Sequence, residues 1–448
     1  MAESYIAGVA RETPHVAEQA FDRPRLMALR IAPAGWSLLP TGVKALIGTA
    51  TLVSVARTMS LPFLAIHLSQ HVGLDASSVG LIIGTGAVVA SLGGLFGGSV
   101  SDKVGRRTIF IGALALASVS FGAMYLASAP AAFFVLNALT ALANSFYEPL
   151  SRALLGDHVS PALRQQAFSY RYVANNIGWA IGPIVGALLG IAGGSVGFLV
   201  TGLILLAIAA LLAVTLPRDA LAASRVAGPP GEMFEFRSAA RLILRDARMR
   251  WLVIGSTVAI ASYGQMSITF SQYIAGTYAD GVVLFAKIVV VNPITIVLTQ
   301  PLMSGVARRL QPYRSLFVGC AVLAASNIVF LAAPSPVWLG VGMFVFTLGE
   351  MLIVPAEYEL INRFSPQAYR GTYFGVHSLG EVGNFLGPWT GGLILVHFGG
   401  AAMFLYFALV AAAAIPAFWL TQLEEGRTTD VLTLPSRIED DPYARLDD

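Results

Sequence analysis

Gly178-Trp-Ala-Ile-Gly182-Pro183-Ile-Val-Gly186 and Gly383-Asn-Phe-Leu-Gly387-Pro388-Trp-Thr-Gly391 share one pattern, Gly-x-x-x-Gly-Pro-x-x-Gly, at an offset of 205 residues. Each copy lies in an apolar run, and Ser160-Pro161 and Ser365-Pro366 repeat at the same offset. A pattern duplicated across nearly half the chain implies two homologous halves. The surrounding composition says what kind of halves. Of the 448 residues, 56% are hydrophobic and only 12% charged, against about 25% charged in soluble domains. So little charge cannot cover the outside of a soluble protein, so the apolar surplus must face lipid.

A membrane-crossing helix needs roughly 20 apolar residues. Runs of that length define twelve predicted spans, numbered here in chain order: 43–69, 78–100, 108–127, 130–155, 167–192 and 196–216, then 251–276, 282–304, 315–333, 337–361, 371–396 and 402–422. This predicts a cytoplasmic N-terminal tail (1–42), an N-terminal six-helix bundle (43–216) and a cytoplasmic linker (217–250). A C-terminal six-helix bundle (251–422) and a cytoplasmic tail (423–448) follow. The first 41 residues carry charges and prolines, so the run beginning near Gly42 reads as span 1 and not as an export signal.

Charge tests the count. Connections on one side hold Lys103, Arg106, Arg107, Arg164, Arg308, Arg309, Arg314, Arg363 and Arg370, and the linker adds seven arginines from Arg218 to Arg250. The opposite connections (70–77, 128–129, 193–195, 277–281, 334–336, 397–401) hold no Lys or Arg. By the positive-inside rule both termini are cytoplasmic, in the inner membrane. Within the linker, Arg237, Arg241, Arg245 and Arg248 recur at helical spacing opposite Leu242, Ile243 and Leu244. That pattern suits an amphipathic helix on the headgroups as well as it suits a solvated basic linker.

The duplicated glycines suit close helix packing, because lipid supplies no hydrophobic drive between helices. Pro183 and Pro388 each remove one backbone hydrogen bond and permit a bend. An ionisable side chain at mid-bilayer costs at least about 2.5–3.5 kcal/mol, so each is a functional candidate. These are Arg57 (span 1), Glu148 (span 4), Lys287 (span 8), Glu350 (span 10) and Glu381 (span 11). Glu357 and Glu359 lie nearer the inner end of span 10, within reach of solvent. Glu148 has two possible partners: Arg57 on another helix, or Arg152 at i, i+4. Tyr263, Gln265, Asn292, Asn384 and Asn144 are candidate path-lining groups, or plain interhelical hydrogen-bond partners. Phe146, Tyr147 and Phe270 could wall a cavity.

The single cysteine, Cys320, excludes a disulfide framework, and the six histidines show no ligand-like spacing. No phosphate-cradling Gly-x-x-x-x-Gly-Lys-Ser/Thr, Gly-x-Ser-x-Gly or His cluster is found. Enzymatic activity, a cofactor, a metal or a nucleic-acid partner is therefore not expected.

The connection between spans 2 and 3, Gly98-Ser-Val-Ser-Asp102-Lys103-Val-Gly105-Arg106-Arg107, resembles the signature loop of the major facilitator superfamily, Gly-x-Leu-Ala-Asp-Arg-x-Gly-Arg-Arg. The element at Gly182-Pro183-x-x-Gly186 resembles the helix 5 motif of that family's antiporter branch, and the drug:proton antiporters are the group it is most similar to. In the second half the loop is degenerate, with Arg309 in the place of the acid. The resemblance implies a major facilitator fold and alternating access, with spans 1, 4, 7 and 10 lining the cavity and a monomer as the working unit. It implies a cytoplasmic gate in which Asp102 meets the start of span 11 near Gly371 and Thr372, while Arg106 and Arg107 pair with Asp157. The plainer reading of those arginines is the positive-inside rule alone. Antiporter relatives often carry an arginine in helix 4, whereas Asn137 and Asn144 occupy that stretch here. The expected function is proton-coupled export of small amphiphilic compounds, with Glu148 first among Glu148, Glu350 and Glu381 as coupling residues. The alternative is a carrier of a defined polar metabolite, and a non-transporting receptor is more remote. Substrate, protons and membrane lipid are the expected partners.

Overall fold

A computed structural model describes residues 36–189, 193–215, 246–365 and 370–433. The described residues are helical almost throughout, with no strand. Nine helical segments among them are long and apolar enough to cross a membrane. Two of these, Gly281–Leu331 and Tyr373–Arg427, run for 51 and 55 residues. A straight helix of 51 residues would extend about 77 Å, more than twice the hydrocarbon core. Each is broken near its middle by a residue with left-handed backbone, Gln311 (φ 64°) and Gly399 (φ 81°), so each holds two predicted spans. The helix Pro161–Leu188 corresponds to span 5; its polar first turns keep it out of the nine.

Helix ends depart from prediction in three places. Span 5 begins six residues early, at Pro161. Span 11 is interrupted: helix Arg370–His377 passes into a tight 3-10 turn, Ser378–Val382, before helix resumes at Gly383. Span 12 continues past residue 422 to Thr433, where a free tail is predicted. Glu425 explains that extension, accepting from Tyr313 (2.7 Å) and pairing with Arg363 (2.8 Å). Span 7 also carries a π-helical stretch, Met266–Phe270, a form concentrated at functional sites.

The duplicated glycines do the same work in both halves. A Cβ on Gly178 or Gly182 would stand 2.3 Å from Ser54 Oγ or 2.0 Å from Thr58 Oγ1, both on span 1. Thr58 donates to the Gly178 carbonyl at 2.8 Å. In the second half a Cβ on Gly383 or Gly387 would meet the span 7 carbonyls of Thr257 (2.3 Å) and Ala261 (2.0 Å). The third glycines diverge: Gly186 faces Met59 of span 1, but Gly391 faces the Phe407 ring of span 12.

Apolar side chains collect into two main cores. One gathers spans 1–4 and 6, around Phe110, Phe121, Phe133 and Phe198. The other gathers spans 7–12, around Phe270, Phe330, Phe404 and Phe418. The halves touch each other towards the arginine-free end. There Gln70 donates to the Ala275 carbonyl (3.3 Å), and Phe63 meets Phe285 edge-on at 5.7 Å. Spans 2 and 11 run antiparallel so closely that a Cβ on Gly80 would lie 2.4 Å from the Pro388 carbonyl, and one on Gly392 2.4 Å from that of Ala76.

Candidate functional site

With the halves joined at one end, a cavity of about 680 Å³ opens between spans 5, 7, 8, 10 and 11. It runs along span 10 from Met343 to Tyr358, that is, from mid-bundle towards the arginine-rich end. Aromatic and thioether groups form much of the wall: Tyr172, Trp179, Tyr263, Phe346, Met343 and Met351. Asn175, Asn176, Asn292, Gln300 and Asn384 add amides. Among its lining residues Glu350 is the one carboxylate, with no Lys, Arg or His. Its Oε2 accepts from Asn292 Nδ2 at 2.8 Å, and that amide also donates to Thr347 Oγ1 at 3.2 Å. A carboxylate oriented by an amide, in an aromatic and polarizable wall, is suited to receiving a cation.

Of the predicted path residues, Tyr263, Asn292 and Asn384 line this cavity. Gln265 does not: it is fully buried, and its Nε2 has no hydrogen-bond partner. Nor do spans 1 and 4 contribute to it. Asn144 and Arg57 instead lie with Tyr147 around a separate small cavity inside the first half. Phe270 is buried in the second core, and Tyr147 stacks on Phe110 at 5.2 Å. The principal cavity is thus built mostly by the second half.

The predicted Arg57–Glu148 pair does not form. Arg57 Nη1 donates to Asn144 Oδ1. Glu148 Oε2 is held by Arg171 Nη2 at 3.0 Å and by Arg152 Nη2 at 3.5 Å. The i, i+4 partner is therefore present, joined by an arginine that the sequence reading leaves out. Arg171 is buried in span 5, ten residues in from Pro161, and the early start of that helix was the signal that would have found it. Span 4 lacks the family's arginine, and Arg171 of span 5 and Arg57 of span 1 carry positive charge against it.

Glu381 accepts from Asn384 Nδ2 at 2.6 Å, from the 3-10 turn of span 11. Lys287 is exposed and stands outside the cavity. It lies within two turns of the arginine-free start of span 8, where a long stem can carry its ammonium to the interface. Glu357, expected near solvent, is 2% exposed. It faces His377 of span 11, Nε2 to Oε2 3.6 Å.

The predicted gate is described in part. Gly105 has φ 99° and starts the helix Arg106–Leu126, and Arg107 Nη2 donates to the Ala213 carbonyl at 2.5 Å. Gly98, Asp102, Lys103, the Arg106 side chain, Asp157, Gly371 and Thr372 lie outside the described residues, as do Arg237, Arg241 and Arg245 of the linker. The left-handed position of Gly105 falls on Gln311 in the second half. That sets the loops 206 residues apart, and Arg308, not Arg309, takes the place of Asp102.

Comparison with known proteins follows the geometry. A family model described as Major Facilitator Superfamily matches residues 46–381. The uncharacterized MFS-type transporter YqjV of Bacillus subtilis (strain 168) is 30% identical over 387 residues, covering 86% of this chain and 92% of that protein. A Na(+), Li(+), K(+)/H(+) antiporter of Planococcus maritimus is 25% identical, covering 74% and 84%. Multidrug resistance protein MdtH of Photorhabdus laumondii is 26% identical, covering 76% and 83%. The crystal structure of nucleoside transporter NupG shares the fold, with a TM-score of 0.74 at 15% identity over 86% of this chain and 99% of that one.

Proposed function

The chain belongs to the Major Facilitator Superfamily and is a multi-pass membrane transporter, and from that premise we propose that it exports small amphiphilic compounds, preferentially cationic ones, in exchange for protons. The observation that carries this reading is the cavity between spans 5, 7, 8, 10 and 11, with its aromatic and methionine wall and Glu350 as its one carboxylate. Such a wall recognises apolar bulk without demanding one shape. The carboxylate selects the sign of charge, because an unneutralised anion in this wall is costly. A cation and a proton are alternative ways to neutralise it. One acid that can take either, but not both, makes an exchanger.

Orientation supports export. The cavity extends to the arginine-rich end, which the positive-inside rule assigns to the cytoplasm of an inner membrane, so the face on which an exporter loads is the open one. Closing this end while parting Gln70 from Ala275 and Phe63 from Phe285 would give alternating access by rocking of the halves. Relatives named as an antiporter and as a multidrug resistance protein point the same way. One feature favours a second reading, a carrier of a polar metabolite: five amide side chains in the cavity wall.

The test is a proteoliposome assay with an internal pH dye. Ethidium and tetraphenylphosphonium are expected to drive proton movement, and an uncharged nucleoside is not. Proton-independent nucleoside transport would replace this reading with the second one.

A further inference from the structure

We propose that Glu357 and His377, with Ser256, form a buried one-proton site that carries the coupling proton, separate from the carboxylate that meets the substrate. The proposal rests on the proton-coupled reading above and gives that reading its site. Three helices converge here: Ser256 from span 7, Glu357 from span 10 and His377 from span 11. Their exposures are 0%, 2% and 8%. His377 Nε2 stands 3.1 Å from Ser256 Oγ and 3.6 Å from Glu357 Oε2. The other carboxylate oxygen, Glu357 Oε1, is buried with no hydrogen-bond partner. A buried acid left half-satisfied costs stability, and a structural ion pair would satisfy it.

The groups that face the pair are few. Tyr263 of span 7, Cys320 of span 9, Tyr358 beside Glu357, and Glu381 of span 11 are within electrostatic reach. None of them is a lysine or arginine, so no fixed positive charge neutralises Glu357. Neutrality therefore needs one proton, held on His377 as an imidazolium facing the carboxylate or on the carboxylate facing a neutral imidazole. Loading takes one proton from the aqueous face and forms one N–H or O–H bond; unloading returns it to the opposite face. Nothing is oxidised or reduced.

The site is built to sense the transport cycle. Glu350, in the substrate cavity, lies seven residues before Glu357 on the same helix, two turns along one face. His377 ends a short helix and opens directly into the 3-10 turn Ser378–Val382, beyond which span 11 packs on both span 7 and span 2 of the other half. A rocking motion that shifts span 2 against span 11 pulls on that turn, so His377 can separate from Glu357 without displacing Gly383. Neither half-cycle then needs the substrate and the proton on one carboxylate.

The experiment uses the full chain in proteoliposomes, with ethidium as the probe, measured two ways: flux driven by a pH gradient, and ethidium–ethidium exchange without one. Glu357→Gln is expected to lose gradient-driven flux at least tenfold while retaining exchange. His377→Gln is expected to move the pH at which gradient-driven flux is half-maximal, whereas a merely structural histidine would lower the rate equally at every pH. Labelling of wild-type Glu357 by dicyclohexylcarbodiimide, located by peptide mass, is expected to fall with rising pH at the same midpoint, and this measurement does not depend on any variant folding. Gradient-driven flux at the wild-type level in Glu357→Gln, or no pH-dependent labelling of Glu357, overturns this site and leaves proton coupling standing. A wild-type protein indifferent to the gradient overturns both.

Discussion

The two halves repeat their packing and not their charges. Gly178 and Gly182 seat span 5 on span 1 as Gly383 and Gly387 seat span 11 on span 7. The acids and bases have no such correspondence. Positions 205 residues from Arg57, Glu350 and Glu357 are Ser262, Ser145 and Arg152. The first half ties up its intramembrane charges, with Arg57 on Asn144 and Glu148 on two arginines. The second half leaves Glu350 facing a cavity and Glu357 half-satisfied. Duplicated backbone contacts set the frame, and one copy has been free to specialise in chemistry.

The sharpest way to break this comparison is to substitute matched glycines. Gly387→Ala sets a Cβ 2.0 Å from a backbone carbonyl, which cannot turn away, whereas at Gly182 the nearest atom is the Thr58 hydroxyl. Gly387→Ala is expected to destabilise by about 3 kcal/mol or more, at the upper end for overpacking. Gly182→Ala should cost less and be partly rescued by Thr58→Ala, as read by thermal unfolding in detergent. A smaller effect belongs to the charges. Glu148→Gln strands Arg171 and should cost about 1–3 kcal/mol. Glu350→Gln should leave the unfolding temperature nearly unchanged, because its amide retains a carbonyl for Asn292.

Two subtler contrasts follow. Gln311 holds a left-handed backbone where the first half has Gly105, a conformation costing about 1–3 kcal/mol for a residue with a Cβ. Gln311→Gly should therefore stabilise by about 1 kcal/mol, allowing for the added freedom of the unfolded chain. Gly105→Gln should destabilise, both measured by unfolding temperature. The smallest effect concerns Asp75 and Asp280, which begin spans 2 and 8 at the same offset. Asp75 accepts from the Ser77 and Ser78 amides at 2.9 and 3.0 Å, and these bonds, the Ser78 amide foremost, hold its carboxyl below its usual range. Asp280 makes no such cap. A depressed folded value means stability present above the unfolded value near ~4 and lost as pH falls through the folded one. Asp75 is exposed, so the effect should be about 0.5 kcal/mol, at the low end for a cap. Asp75→Asn should abolish that pH dependence of unfolding, and Asp280→Asn should leave it intact.

The frame was legible in the sequence because its determinants are periodic or duplicated: apolar run lengths, arginine alternation and the repeated Gly-Pro pattern. The site was legible only by residue. Tyr263, Asn292, Glu350 and Asn384 were found because polar groups in apolar runs are conspicuous. What failed was partnership. Sequence cannot say which helices leave the cavity wall, so Arg57 and Asn144 were placed in it, while Arg171 and the Glu357–His377 pair, both set by interhelical register, were missed. Lys287 failed for a related reason, since depth along a helix, and not residue type, decides whether an ammonium can reach water.

The central claim, that the second half carries the chemistry on a frame both halves share, meets its most direct test in ethidium binding. Affinity would be measured on purified, folded protein for the wild type, Glu350→Gln and Glu148→Gln, with proton release followed in the same titration. The account predicts that Glu350→Gln loses binding at least tenfold and releases no proton, while Glu148→Gln, once folded, binds as the wild type does. The reverse pattern, with binding lost in Glu148→Gln and retained in Glu350→Gln, would contradict it.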